Sequence, residues 1–155
     1  MKKILLILLC GIFSAFSLHA QNLQAFMSYT LFNSPVDGPY IETYLSVFGP
    51  SLQYVKNANG KYQGTVEVTI IFRQDDDIVN YDKYEVTSQE LDDTSAMIPN
   101  FIAQQRYLLK NGNYDMEFII ADANADADPY ITTDPVEVSF PSGKPSISGI
   151  ELISE

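Results

Sequence analysis

Oxygen-bearing side chains recur at every second position in Asp122-Ala123-Asn124-Ala125-Asp126-Ala127-Asp128. Such spacing resembles the start of a calcium loop, because calcium takes several hard oxygen ligands. Asp122, Asn124, Asp126 and Asp128 are therefore the candidate metal ligands, with Asp134 within reach of the same loop. The pattern departs from an EF-hand. Its sixth position is Ala127 where a glycine makes the sharp turn, and its twelfth is Thr133 where a glutamate binds through both oxygens. The plainer reading is a solvated acidic loop with no cofactor. Asp75, Asp76 and Asp77 make a poorer site, since consecutive residues on an extended chain point apart.

A second candidate rests on tyrosine, of which the chain has 10. Tyr40 and Tyr44 lie on the same face of an expected strand. They would make either an exposed platform for a protein partner or a glycan, or a second buried face between two sheets. The chain has no Trp, a favoured residue for stacking on sugars, which weighs against the glycan.

Other chemistries are excluded by what the chain lacks. Its one Cys and one His are Cys10 and His19, both inside an N-terminal stretch with the pattern of a secretory leader. Lys2 and Lys3 form the positive start, Ile4–Phe16 the apolar run, and Ala20 the small residue at the cleavage point. That run is too short to span a bilayer comfortably, and no second one follows, so no membrane insertion is expected after cleavage. Leu9 before Cys10 is too large for lipoprotein processing. The chain is expected to be exported, to the periplasm or outside the cell.

Past the leader there is no His or Cys for a Ser-His-Asp or Cys-His arrangement, nor the usual zinc and copper ligands. A carboxylate pair for glycoside hydrolysis carries no signal, because among 20 acids some pair fits any spacing. The chain is read as non-enzymatic.

Charge narrows the partners. The whole chain carries −11; loss of Lys2 and Lys3 leaves 7 bases against 20 acids, or −13. This repels phosphate backbones and anionic headgroups, so nucleic acid is not a partner. A cation-facing surface is one use of such acidity, and keeping the chain in solution is another. With no disulfide available, a hydrophobic core must hold the exported domain together.

The elements that position these residues are short strands. Apolar alternation marks Leu23–Phe32, Tyr40–Phe48, Ser51–Lys56, Lys61–Arg73, Ile78–Thr87, Asp134–Phe140 and Ile147–Ile153, with Asn59-Gly60 as a hairpin turn. Phe101–Ala121 reads as two more strands about Asn111-Gly112, and that dipeptide favours a type I′ hairpin. Leu109-x-x-Gly112-x-Tyr114 also fits the tyrosine corner of Ig-like sandwiches, where a hydroxyl bonds back to nearby backbone. No window shows sustained helical periodicity. The expectation is an all-β, immunoglobulin/fibronectin III-like β-sandwich of about seven to eight strands after a signal peptide. Residues 1–20 are the leader and 21–140 the sandwich. Residues 141–155 form a linker and a strand that either pairs back onto the sandwich or opens a following domain.

Several stretches together resemble the N-terminal portion of the GWxTD domain-containing proteins, an uncharacterised family of exported bacterial proteins. They are Gly38-Pro39-Tyr40-Ile41-Glu42-Thr43-Tyr44-Leu45, Asn59-Gly60-Lys61-Tyr62-Gln63 leading into Val66-Glu67-Val68-Thr69, Gln104-Gln105-Arg106 followed by Asn111-Gly112-Asn113-Tyr114, and Ser148-Gly149-Ile150-Glu151-Leu152. The similarity spans most of the chain after the leader. The Gly-Trp-x-Thr-Asp motif that names the family is absent, so nothing tied to it transfers to any residue here. The resemblance implies export, a sandwich, and a fragment or shortened member of the family; it implies no activity. Together the features suggest an exported structural or protein-interaction module at the cell envelope, with a calcium- or glycan-binding module as the alternative.

Overall fold

A computed structural model describes residues 22–141 and 147–150. The expected leader, its cleavage point at Ala20 and the end of the last expected strand lie outside the described residues. Among the described residues there are nine strands and no α-helix. The strands are β1 (Ala25–Ser34), β2 (Gly38–Val47), β3 (Val55–Lys56), β4 (Tyr62–Gln63), β5 (Thr65–Gln74), β6 (Asp77–Thr87), β7 (Phe101–Leu108), β8 (Gly112–Asp122) and β9 (Tyr130–Val138).

They form a sheet ordered β1-β2-β7, a sheet ordered β6-β5-β8-β9, and the small pair β3-β4. Every pairing is antiparallel. This is the expected all-β sandwich, three strands facing four, with the chain changing sheets between β2 and β5, β6 and β7, and β7 and β8.

Period-two alternation supplies the core. Ile41, Leu45 and Val47 face inward from β2; Val66, Val68, Ile70 and Phe72 face them from β5, and Met116, Phe118 and Ile120 from β8. Phe72 packs against Tyr107 of β7 with ring centroids 5.3 Å apart, tying the two sheets together. Fully burying one such side chain is worth ~1.5–3 kcal/mol, so this layer stabilises the fold without any disulfide.

Asn111-Gly112 does not make a hairpin. β7 pairs with β2, whereas β8 pairs with β5 and β9, so the segment crosses from one sheet to the other. Neither residue has the positive φ that a type I′ turn requires. The corner reading holds instead: the Tyr114 hydroxyl donates to the Lys110 carbonyl oxygen at 2.8 Å. The Asn111 side chain serves elsewhere. Its amide donates to the Phe140 carbonyl, and its oxygen accepts the Phe140 N–H, both at 2.9 Å. The true two-residue turn is Asp75-Asp76, with φ of 49° and 71°, inside what the sequence presents as a charged loop. Short polar side chains tolerate that left-handed backbone.

Three boundaries also differ. Lys61–Arg73 divides at Gly64 into β4 and β5; Gly64 packs so closely on Leu52 that an added Cβ would sit 3.0 Å from its Cδ1. Ser51–Lys56 shortens to β3, after a 3-10 turn at Gly49–Ser51. β9 begins at Tyr130, ahead of Asp134; as an edge strand it tolerates Pro135. Residues 147–150 turn back onto the sandwich beside β1, where the Gly149 N–H donates to the Leu31 carbonyl at 2.8 Å.

Candidate functional site

The outer face of the β1-β2-β7 sheet holds the most organised set of polar side chains. Registers place Tyr40, Glu42, Tyr44 and Ser46 of β2 on that face, because their neighbours Ile41, Thr43, Leu45 and Val47 are buried within the sandwich. Cross-strand partners then form rows: Phe26–Ser46–Ile102, Ser28–Tyr44–Gln104, Thr30–Glu42–Arg106 and Phe32–Tyr40–Leu108.

Glu42 sits at the centre, on the middle strand, and is 2% exposed although it points away from the core. Its neighbours cover it. Arg106 Nε forms a close ion pair with Glu42 Oε1. Gln104 Nε2 donates to Oε2 at 2.7 Å, and the Tyr44 hydroxyl donates to the same oxygen. The Arg106 guanidinium also lies 5.6 Å from the centre of the Tyr40 ring, which stacks on Phe32 at 5.4 Å. A planar guanidinium suits this double role, pairing with a carboxylate while lying over an aromatic face.

Tyr40 and Tyr44 are thus neither bare platforms nor packed between the sheets. Both are half-buried on the outer surface, held by Arg106 and Glu42. Sequence reasoning singled out the two tyrosines and passed over Glu42, Gln104 and Arg106. The available signal was their period-two spacing, but the partners lie 62 residues apart in the chain from Glu42 to Gln104.

Apolar side chains flank this polar centre. Phe26 and Ile102 are each 69% exposed at one end of the face, and Leu108 is 61% exposed at the other. Phe26 and Ile102 help to line a cleft of about 410 Å³ together with Val47, Phe48, Phe101 and Asn100. The three strands carry one acid and one base, Glu42 and Arg106, which neutralise each other. The four strands opposite carry nine acids against Arg73 and Lys83. The acids carried on strands are therefore concentrated on the opposite sheet.

The acidic loop after β8 is fastened to the body of the sandwich by its first residues. Asp122 is buried, with Oδ2 accepting the Gln53 N–H at 2.6 Å and Oδ1 accepting the Asn124 N–H at 2.9 Å. Asn124 Nδ2 donates to the Gln53 carbonyl at 3.0 Å. Asp122 and Asn124 thus fasten the loop to the segment after the 3-10 turn. Asp126 and Asp128 are exposed. Among the described residues, no three His, Cys, Asp or Glu side chains converge as metal ligands do, so Asp122, Asp126 and Asp128 are not brought together.

A third polar group links the edge strands β7 and β6 of the two sheets. The Tyr107 hydroxyl donates to Asp82 Oδ2 at 3.3 Å, and Tyr84 stands beside both. Burial first, then the neighbouring Tyr84 and Asp82, hold the Tyr107 phenol well above its ordinary range. Burial also raises Tyr84 and Tyr114. Compared with family models, with curated proteins and with solved structures, the chain matches none.

Proposed function

We propose that this chain is an exported, non-catalytic β-sandwich that binds a protein partner at the cell envelope through the outer face of the β1-β2-β7 sheet. One observation carries the reading. On an acidic protein, this face combines zero net charge in its strands with exposed Phe26, Ile102 and Leu108 around an ordered Tyr40–Arg106–Glu42 centre. Interface cores are depleted in charge and enriched in aromatic residues and arginine, and their anchors are held in place before binding. Glu42 supplies that ordering by fixing Arg106, Gln104 and Tyr44 from beneath. Export is supported by the leader-like residues 1–20, and by the resemblance to the GWxTD domain-containing proteins. Two stretches that carry the resemblance, Tyr40–Tyr44 and Gln104–Arg106, meet across β2 and β7 in this cluster.

The test is photo-crosslinking in the native cell. A photoreactive residue replaces Phe26 or Ile102 on this face, and Tyr81 or Ile131 on the opposite sheet. A discrete protein adduct from the first pair alone is the expected result. No adduct from the first pair, or equal adducts from both, overturns the proposal.

A further inference from the structure

A sheet edge offers unpaired N–H and C=O groups to any other strand, and proteins guard such edges with charge, proline, bulges or a covering segment. Of the four edges of the two large sheets, β6 carries Asp77, Asp82, Lys83 and Glu85, with a register shift opposite it at Phe72/Arg73, and β9 carries Asp134, Pro135 and Glu137. β7 carries one charge, Arg106, which pairs with Glu42 of β2. β1 has none. Its ten residues contain no charge and no proline, and its register with β2 is unbroken.

Residues 147–150 lie against this edge. The Gly149 N–H donates to the Leu31 carbonyl at 2.8 Å, and Ser148 Oγ accepts the Asn33 N–H at 3.1 Å. Rising numbers in one segment meet falling numbers in the other, so the two run antiparallel. The approach is close enough to demand glycine: a Cβ at Gly149 would fall 2.2 Å from Thr30 Cγ2. Asn111 clamps Phe140 just after β9 through both atoms of its side-chain amide.

We infer that residues 147–150 are the guard of the β1 edge, and that a second copy of this chain pairs with β1 when they are displaced. The second copy fits because β1 is uncharged, so two β1 strands meet without the like-charge repulsion that the acidic β6 and β9 edges bring. Backbone groups of an antiparallel strand point alternately to either side, so the N–H and C=O of Met27 and Tyr29 face outward with those of Leu31 and Asn33.

The test uses the full chain. In the wild type the amide of Gly149 exchanges at least about tenfold more slowly than in an unstructured peptide, and sedimentation shows a monomer. Gly149→Val removes that protection and produces a dimer, with circular dichroism confirming the sandwich. Adding Asn33→Pro returns the protein to monomer, because it removes an outward N–H and leaves the β1–β2 ladder intact. Unprotected Gly149 in the wild type overturns the inference. A Gly149→Val protein that stays monomeric, or a dimer that survives Asn33→Pro, overturns it equally.

Discussion

Replacing Arg106 with leucine uncovers the side of Glu42 that the guanidinium now closes, and the cost follows from the geometry. Glu42 is 2% exposed, whereas the Arg106 side chain is 65% exposed. Removing one member of a buried pair costs ~3–5 kcal/mol, because an uncompensated charge stays behind. Here Gln104 and Tyr44 still donate to the carboxylate, and water enters where the arginine stood, so the lower end applies, about 3 kcal/mol. Glu42→Leu costs less, about 1–2 kcal/mol, since the orphaned Arg106 is already solvated and loses mainly its fixed position. The double variant Glu42→Leu/Arg106→Leu leaves no stranded charge and falls within about 1 kcal/mol of the wild type. The coupling is then about 3–5 kcal/mol, well above the few tenths expected of independent sites. Urea unfolding measures all four proteins. Tyrosine fluorescence and circular dichroism report the transition, since there is no Trp. The slope m stays constant while the midpoint moves. An Arg106→Leu cost under about 1 kcal/mol, or a double variant as costly as the two singles summed, would refute the claim that Glu42 is held by its pair with Arg106.

Two further outcomes follow from the buried polar groups. Asp122→Ala strands the Gln53 and Asn124 N–H groups and is expected to cost about 2–3 kcal/mol, by the same amount with calcium or with a chelator. A cost that appears only with calcium in the buffer would show that the loop works as a metal site. Stability is also expected to fall on the alkaline side. Tyr107, Tyr84 and Tyr114 are all raised from 10.0, so the folded state holds protons that the unfolded chain releases. That contribution is full below pH 10 and is lost as pH rises beyond it, and Tyr107→Phe should flatten the decline in a pH series of urea midpoints.

Strands were legible in the sequence because their signal is local. Val66, Val68, Ile70 and Phe72 alternate with polar neighbours within one short window, and burial on one face requires no more. The corner at Tyr114 was legible too, since its hydroxyl reaches a carbonyl only four residues back. The competing hairpin was equally local, and Asn111-Gly112 alone contained nothing to decide between them. Partnership of β7 with β2 decided it, and that pairing joins segments far apart in the chain, from Val47↔Phe101 to Tyr40↔Leu108.

The same reasoning separates the candidate sites. Residue type and spacing at Asp122–Asp128 allow a cation loop; only the fold turns Asp122 inward onto Gln53 and leaves Asp126 and Asp128 in solvent. Glu42 reads as an ordinary outward residue on an alternating strand. Its burial arises because β7 lays Gln104 and Arg106 beside it. Composition and local alternation determined an acidic, all-β chain with neither Cys nor His after its first twenty residues. Which strands became neighbours, and so which polar side chains met, was decided by long-range sheet pairing, because a cross-strand contact depends on register between distant segments and leaves no mark within either one.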